Sequence, residues 1–282
     1  MNAINVVNLK KSYDKQVVLN GVSFSIEKGN IFGLLGANGA GKTTTLECIE
    51  GLKRYDSGSI EINGSIGVQL QSSSLPNNIK AVEAFRLFCF WNGVSDAIDL
   101  LTRFLPIEHH GKQYGEMSTG QKRRLHLALA LVKDPDIIFL DEPTAGLDVE
   151  GRYALHGEIR ELKKMGKTIV LASHDMSEVE TLCDSIAILK NSEIVFHGTP
   201  RELTKNYASK RVISVKLLDE LPNTNFEHLE FIGINQGYYM FSTMSLHEGL
   251  SEILSISSKL IDVVIERNSL EDKFIEIAKE DN

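Results

Sequence analysis

The chain has 282 residues, 42% of them hydrophobic and 24% charged, with a formal net charge of −8. Such a composition is globular, and the length suffices for one large domain or a large and a small one with a sizeable core. Thirteen acidic and seven basic residues follow from Lys210 onward. The negative excess therefore sits at the C-terminal end, and no basic face suited to a nucleic-acid backbone is suggested, so no nucleic-acid partner is expected.

Cys48, Cys89 and Cys183 are far apart and form no C-x-x-C pair, which implies neither a disulfide framework nor a zinc site and fits a reducing, cytosolic location. Apolar stretches such as 81–91 and 125–132 fall well short of the ~20 residues of a membrane helix. The first ten residues lack a basic region followed by an apolar run, so no signal peptide and no membrane crossing are expected.

Clustered β-branched residues predict strands over 4–9 and 22–26, followed by a Lys28-Gly29 turn and a short buried strand over 30–35. Next comes Gly36-Ala-Asn38-Gly39-Ala-Gly41-Lys42-Thr43-Thr44, which has the G-x-x-x-x-G-K-[ST] spacing, and then a helix pattern over 42–49 ending at Gly51. Glycines let the backbone curl with its N–H groups inward, and the helix N-terminus adds about half a positive charge. This predicts a cradle for nucleotide phosphates, with Lys42 reaching the terminal phosphates and the Thr43 hydroxyl binding Mg²⁺.

Short β patterns over 59–63 and 65–70 lead into a polar loop. Helical periodicity then takes over, with Val82, Phe85, Phe88 and Cys89 on one face. A second helix is expected with Ser95 as its cap and Pro106 as its stop. Residues 72–132 thus read as a helical insertion, ending in a helix over 122–133. Phe90 and Trp91 fall off the apolar face of their helix; core packing is the plainer reading, and an exposed pair receiving a partner helix is the other. His109 and His110 lack a third ligand nearby and read as a solvated pair, and Glu47 and Glu50 as ordinary solvated positions.

Just before that last helix lies Met117-Ser118-Thr119-Gly120-Gln121. Ser118 either caps the helix or, with the Gly120 N–H and the open helix N-terminus, faces a phosphate from outside. Four apolar residues, Ile137-Ile-Phe-Leu140, then close on Asp141 and Glu142. Burial up to Leu140 puts Asp141 at the sheet edge to hold a Mg²⁺ shell and leaves Glu142 to polarise an attacking water, a division of labour for phosphoryl transfer to water.

Strand–helix alternation continues with a helix over 149–165, a strand over 168–172, a helix over 176–183 and strands over 185–189 and 193–197. That order implies crossover helices and a mainly parallel sheet with ligands at its carboxyl edge. After a short helix near 200 the character changes. Strands over 212–218, 229–234, 238–243 and 261–266, a helix from Leu246 and a last amphipathic helix over 269–279 predict a small α/β domain with its own core. The expected division is 1–209 and 210–282.

Together these motifs resemble the ATP-binding subunit of an ABC transporter over roughly the first 205 residues. Gly36 to Thr43 is similar to the Walker A loop and Ile137 to Glu142 to Walker B. Ser118-Thr-Gly-Gln121 is similar to the family signature, Gln71 to its Q-loop glutamine, Ala145-Gly-Leu-Asp148 to its D-loop, and Ser173-His174 to its switch histidine. The resemblance implies an α/β P-loop NTPase fold with a parallel core sheet, an antiparallel β subdomain, the helical insertion and the C-terminal α/β domain. It implies ATP and Mg²⁺ as ligands, Glu142 as catalytic base assisted by Gln71 and His174, Gln71 and Asp141 beside Thr43 in the metal shell, and Tyr13 stacked on adenine.

It also implies a head-to-tail sandwich in which a second copy's Ser118, Gly120, Gln121 and Asp148 complete each site, a separate membrane permease as partner, and a place on the cytoplasmic face of the membrane. Asn268-Ser-Leu-Glu-Asp-Lys-Phe-Ile is similar to the closing motif of the drug and lipid exporter branch, though a capped amphipathic helix would read the same. Thr119 and Met117 depart from the usual Leu-Ser-Gly-Gly-Gln; a threonine at a left-handed position would cost ~1–2 kcal/mol, and at an ordinary one little. The competing functions are a soluble ABC ATPase acting on nucleic acid or ribosomes, and a non-hydrolytic ATP-gated module.

Overall fold

The computed structural model describes residues 1–14, 16–69, 75–95, 97–173, 175–205, 211–218, 221, 226–256, 260–267, 270 and 274. Gln71 and His174 lie outside them, as does most of the expected last helix. The chain forms two compact units, Met1–Thr199 and Pro200–Asn282.

In the first unit, β1 (Asn2–Tyr13) pairs antiparallel with β2 (Gln16–Glu27) and β4 (Ser57–Ile62) in the order β2-β1-β4. The main sheet runs β5 (Ile66–Gln69), β6 (Ile137–Asp141), β7 (Thr168–Ala172), β3 (Ile31–Leu35), β8 (Ser185–Lys190), β9 (Glu193–Gly198), with every pair parallel except the last. All five residues of β3 and of β7 are buried, as strands covered on both faces must be. Core residues of the two sheets, among them Ile4, Phe24, Ile26, Phe32, Leu34, Phe139 and Val170, pack in one cluster with Leu46, Cys48 and Ile49 of α1 (Lys42–Ile49). Phe24 stacks on Phe32 at 5.1 Å between centroids. All three cysteines are free and buried.

The helical insertion comprises α2 (Ala81–Trp91), α3 (Ile98–Phe104) and α4 (Thr119–Ala130). Ala81, Ala84, Phe85 and Cys89 bury one stripe of α2, whereas Phe90 and Trp91 are 79% and 66% exposed, which overturns the expectation that they pack in the core. Ser95 does not cap α3; the helix starts after Ala97 without a side-chain cap bond and ends where Leu105 turns extended ahead of Pro106. His110 is buried with its Nε2 2.9 Å from the Leu105 carbonyl, so it is not half of a solvated pair.

Helix α4 begins three residues earlier than its hydrophobic pattern indicated, directly after Ser118. Two further helices, α5 (Val149–Lys164) and α6 (Met176–Leu182), complete the α/β alternation. Asp184 anchors the strand that carries the phosphate loop: its Oδ2 accepts the Ile31 N–H at 2.8 Å and its Oδ1 the Lys163 ammonium at 2.6 Å.

The second unit starts with α7 (Pro200–Lys205) and builds a four-stranded antiparallel sheet in the order β11 (Glu230–Asn235), β12 (Tyr238–Thr243), β10 (Arg211–Leu217), β13 (Leu260–Arg267). Helix α8 (Leu246–Ile256) contributes Ile253 to a separate core of Ile213, Val215, Leu229 and Phe241. Of the closing motif, Leu270 is fully buried, and Ser269 with 271–273 lies outside the described residues.

Candidate functional site: a phosphate loop and a separate helix tip

Residues 36–41 curl from the end of β3 into α1 because nothing larger than glycine fits at two points. A Cβ on Gly36 would lie 2.5 Å from the Leu189 carbonyl oxygen. On Gly41, whose φ is +109°, it would lie 2.9 Å from both the Val18 carbonyl oxygen and a Leu19 methyl. Gly41 also occupies the N-cap of α1 and offers no side-chain cap, and the first turn carries no acidic residue, so the orphan N–H groups remain for an anion.

A cleft of about 510 Å³ opens there, lined by Val18, Asn38, Gly39, Gly41, Lys42, Thr43, Thr44, Asp141 and Glu142. The Lys42 ammonium donates to the Gly36 carbonyl at 2.7 Å and the Ala37 carbonyl at 3.2 Å. Burial pulls its pKa down while Glu142 and Asp141 push it back up, so one cation faces two carboxylates across the cleft. Asp141 is shifted up, first by burial and then by Glu142, with Lys42 opposing.

Glu142 has φ +45°, a left-handed backbone unusual for a long side chain, and its N–H bonds the Ala172 carbonyl at 2.9 Å. Glu50, expected to be merely solvated, is half-buried and pushed up to about 7, mostly by burial and then by Asp141 and Glu47. Glu47 pairs with Lys53 at 2.7 Å. Donor chemistry fits a hard divalent cation bound with a triphosphate: a threonine hydroxyl at the helix tip and a half-buried carboxylate at the strand end, beside orphan N–H groups for the phosphate oxygens.

Tyr13 ends β1 half-exposed, with the Lys11 and Lys53 ammonium groups 5.2 and 5.5 Å from its ring centroid, and it does not line this cleft. Ser118, Gly120, Gln121 and Asp148 do not line it either. They lie together on a second cleft of about 620 Å³ shared with Thr119, Gly146 and Arg124.

In that second cleft Ser118 acts as a cap: its Oγ accepts the Gln121 N–H at 3.3 Å, and Gln121 Oε1 accepts the Ser118 N–H at 3.1 Å. Thr119 is the first residue of α4 and is not among the left-handed residues, so it carries no backbone strain. Asp148 caps α5 by accepting the Gly151 N–H at 2.7 Å. The two clefts share no lining residue.

Sequence reasoning missed the network on either side of position 174. Glu178, 1% exposed, accepts the Ser173 hydroxyl at 2.6 Å and lies 3.2 Å from His156 Nε2. Asp175 caps α6 through Ser177 and Glu178 and pairs with Arg152 at 2.6 Å. No local motif marks these residues; only the fold brings α5 and α6 together.

A family model described as ABC transporter matches residues 19–145. The Nod factor export ATP-binding protein I of Burkholderia orbicola (strain AU 1054) is 36% identical over 230 residues, covering 75% of this chain and 76% of that protein. The chain belongs to the ABC transporter family.

For this ABC ATP-binding subunit the likeness continues into the second unit: the Nod factor export ATP-binding protein I of Paraburkholderia xenovorans (strain LB400) is 34% identical over 274 residues, covering 89% of this chain and 90% of that one. Among solved structures, an ATP-binding subunit of an ABC transporter superposes with a TM-score of 0.66 at 29% identity, over 73% of this chain and 93% of that one. A dimeric ATP-binding cassette in a post-hydrolysis state with ADP and phosphate shares the fold at a TM-score of 0.63, 24% identity, 70% of this chain and 98% of that one. The protein is thus an ATP-binding, ATP-hydrolysing subunit of this family. No helix among the described residues is long and apolar enough to cross a membrane.

Proposed function

We propose that two copies of this chain close head to tail around ATP and so drive an exporter's membrane permease from its cytoplasmic side. The separation of the two clefts carries the reading. One holds a cation, two carboxylates and a bare helix N-terminus; the other holds Ser118, Gly120, Gln121 and Asp148 at the capped starts of α4 and α5 and shares no lining residue with the phosphate loop. A second copy brings the two together.

In each site Gly36, Asn38, Gly39, Gly41, Lys42 and Thr44 wrap the phosphates, and Tyr13 receives the adenine. Thr43 and Asp141, with Gln71, would hold Mg²⁺, which when bound neutralises charge between the β- and γ-phosphates. Glu142 accepts the proton of the attacking water, and His174, as the family's switch histidine, assists it. Phosphate departure would remove the anion that both helix tips share and open the dimer, an order-to-open change able to move a partner. The export assignment is supported by the names of the relatives and by the closing motif at 268–275.

The test is Glu142→Gln with ATP and Mg²⁺ on size exclusion. A stable dimer that reverts to monomer when nucleotide is removed supports the reading, and a chain that stays monomeric at saturating ATP overturns it.

A further inference from the structure

Ser118 and Gly120 can serve a second copy's ATP only if the start of α4 is held at a fixed bearing, and the chain enters α4 through a single 3₁₀ turn, Tyr114–Glu116. Tyr114 is 7% exposed. Its hydroxyl lies 2.9 Å from Nε2 of His126, two turns into α4, and the two rings meet edge to face at 5.6 Å between centroids. The Lys122 ammonium, one turn nearer Ser118, sits 4.9 Å from the centre of the Tyr114 ring. The side chain of Tyr114 therefore lies along the first two turns of the helix that its own backbone leads into.

The same hydroxyl accepts the Leu75 N–H. Residues 75–80 are laced to the chain around Tyr114: the Tyr114 N–H donates to the Ile79 carbonyl at 2.9 Å, the Gly115 N–H donates to the Asn77 carbonyl at 2.8 Å, and Lys80 bridges to Gln113. The two segments run so close that a Cβ on Gly115 would lie 3.1 Å from Asn77. Met117 is buried as well, but a thioether adapts to the space it is given, whereas a hydroxyl between two polar partners is fixed in direction. Tyr114, His126 and Leu75 line neither cleft, so direct contact with nucleotide does not account for them.

On the reading that two copies share each ATP, we propose that Tyr114 is a positioning residue for hydrolysis: clamped at its hydroxyl by His126 and the Leu75 N–H, it aims the Ser118 tip at the second copy's triphosphate. A misplacement of about 1 Å in a group that meets the reacting atoms can cost as much as a hundredfold in rate. One hydroxyl outside both clefts can therefore govern turnover and closure while the phosphate loop of each chain binds ATP as before. His126 is the second half of the clamp, because it fixes the Tyr114 hydroxyl to α4 itself.

The test is Tyr114→Phe in the full chain, which keeps the ring and removes the hydroxyl. ATP affinity, read by titration with a fluorescent nucleotide, should stay within about twofold, whereas kcat should fall about fivefold or more. In a Glu142→Gln background, the protein concentration needed for the ATP-bound dimer on analytical ultracentrifugation should rise by about tenfold. His126→Leu should reproduce the loss of kcat, His126→Gln should restore most of it by keeping a polar partner, and Tyr114→Phe with His126→Leu should be no worse than either alone. Unchanged kcat and dimerisation in Tyr114→Phe, or a kcat that falls only in proportion to ATP affinity, overturns the proposal and leaves the shared-ATP reading standing. If Glu142→Gln with Tyr114 intact never dimerises, that reading fails first and the role of Tyr114 falls with it.

Discussion

The hydroxyl of Ser173 donates to Glu178 at 2.6 Å, and through that bond a buried carboxylate holds the chain immediately before position 174. Ser173 follows β7, whose last residue, Ala172, accepts the Glu142 N–H. Glu142 and Ser173 are thus held at one hydrogen-bonded strand edge, with His156 and Arg152 of α5 bonded to Glu178 and Asp175 beside it.

Glu178→Ala should lower ATP turnover at least tenfold although Glu178 faces no ligand cleft, and should cost about 3 kcal/mol of stability, because it strands Ser173 and His156 in the interior. Glu178→Gln keeps an acceptor for Ser173 and should lie between the two. Steady-state ATPase kinetics with urea unfolding of both variants checks this; a kcat unchanged in Glu178→Ala would refute the bracing role.

Gly36→Ala should be poorly tolerated, since its Cβ would sit against the Leu189 backbone oxygen. About 2 kcal/mol of stability and most of the ATP affinity should be lost. Gly157 provides the contrast. It lies inside α5 with nothing within 4 Å of an added Cβ, so Gly157→Ala should stabilise by about 0.5–1 kcal/mol with ATP affinity intact. Thermal unfolding and titration with a fluorescent nucleotide read both variants.

His126 supplies a pH dependence. Burial, and secondarily Arg123, lowers its pKa to about 4, while its ring lies 2.9 Å from the Tyr114 hydroxyl. An unfolded histidine titrates near 6.5, so as pH falls from there toward 4 the unfolded chain takes up a proton that the folded chain refuses, and stability declines. Between pH 7 and pH 5 this amounts to about 2 kcal/mol. In urea titrations at the two pH values, His126→Gln should lose about that much less than the unaltered chain; equal losses would show that His126 is not responsible.

Much of this was readable before any coordinates. The spacing of Gly36, Gly41, Lys42 and Thr43 specified a loop whose shape is dictated by backbone geometry, and α1 begins at Lys42 and ends at Ile49 as its pattern required. Four buried residues ahead of Asp141 likewise fixed β6. Strand ends and caps were harder: β1 and β2 run several residues beyond their apolar clusters because each has an antiparallel partner, and α4 gained a first turn from the Ser118–Gln121 cap rather than from hydrophobic spacing. The environment of Glu50, the burial of His110 and the Glu178 network arise from segments distant in sequence, which periodicity cannot report.

The sharing of ATP between two copies is tested most directly by mixing two chains that are each inactive: Lys42→Ala, defective in the phosphate loop, and Ser118→Arg, defective in the helix tip. If each site joins the loop of one copy to the tip of the other, mixed dimers contain one site with neither defect, and ATPase activity should return to roughly a quarter of the unaltered rate under random pairing. If Ser118 serves the nucleotide of its own chain, every site keeps a defect, and a mixture as inactive as its components would contradict the account.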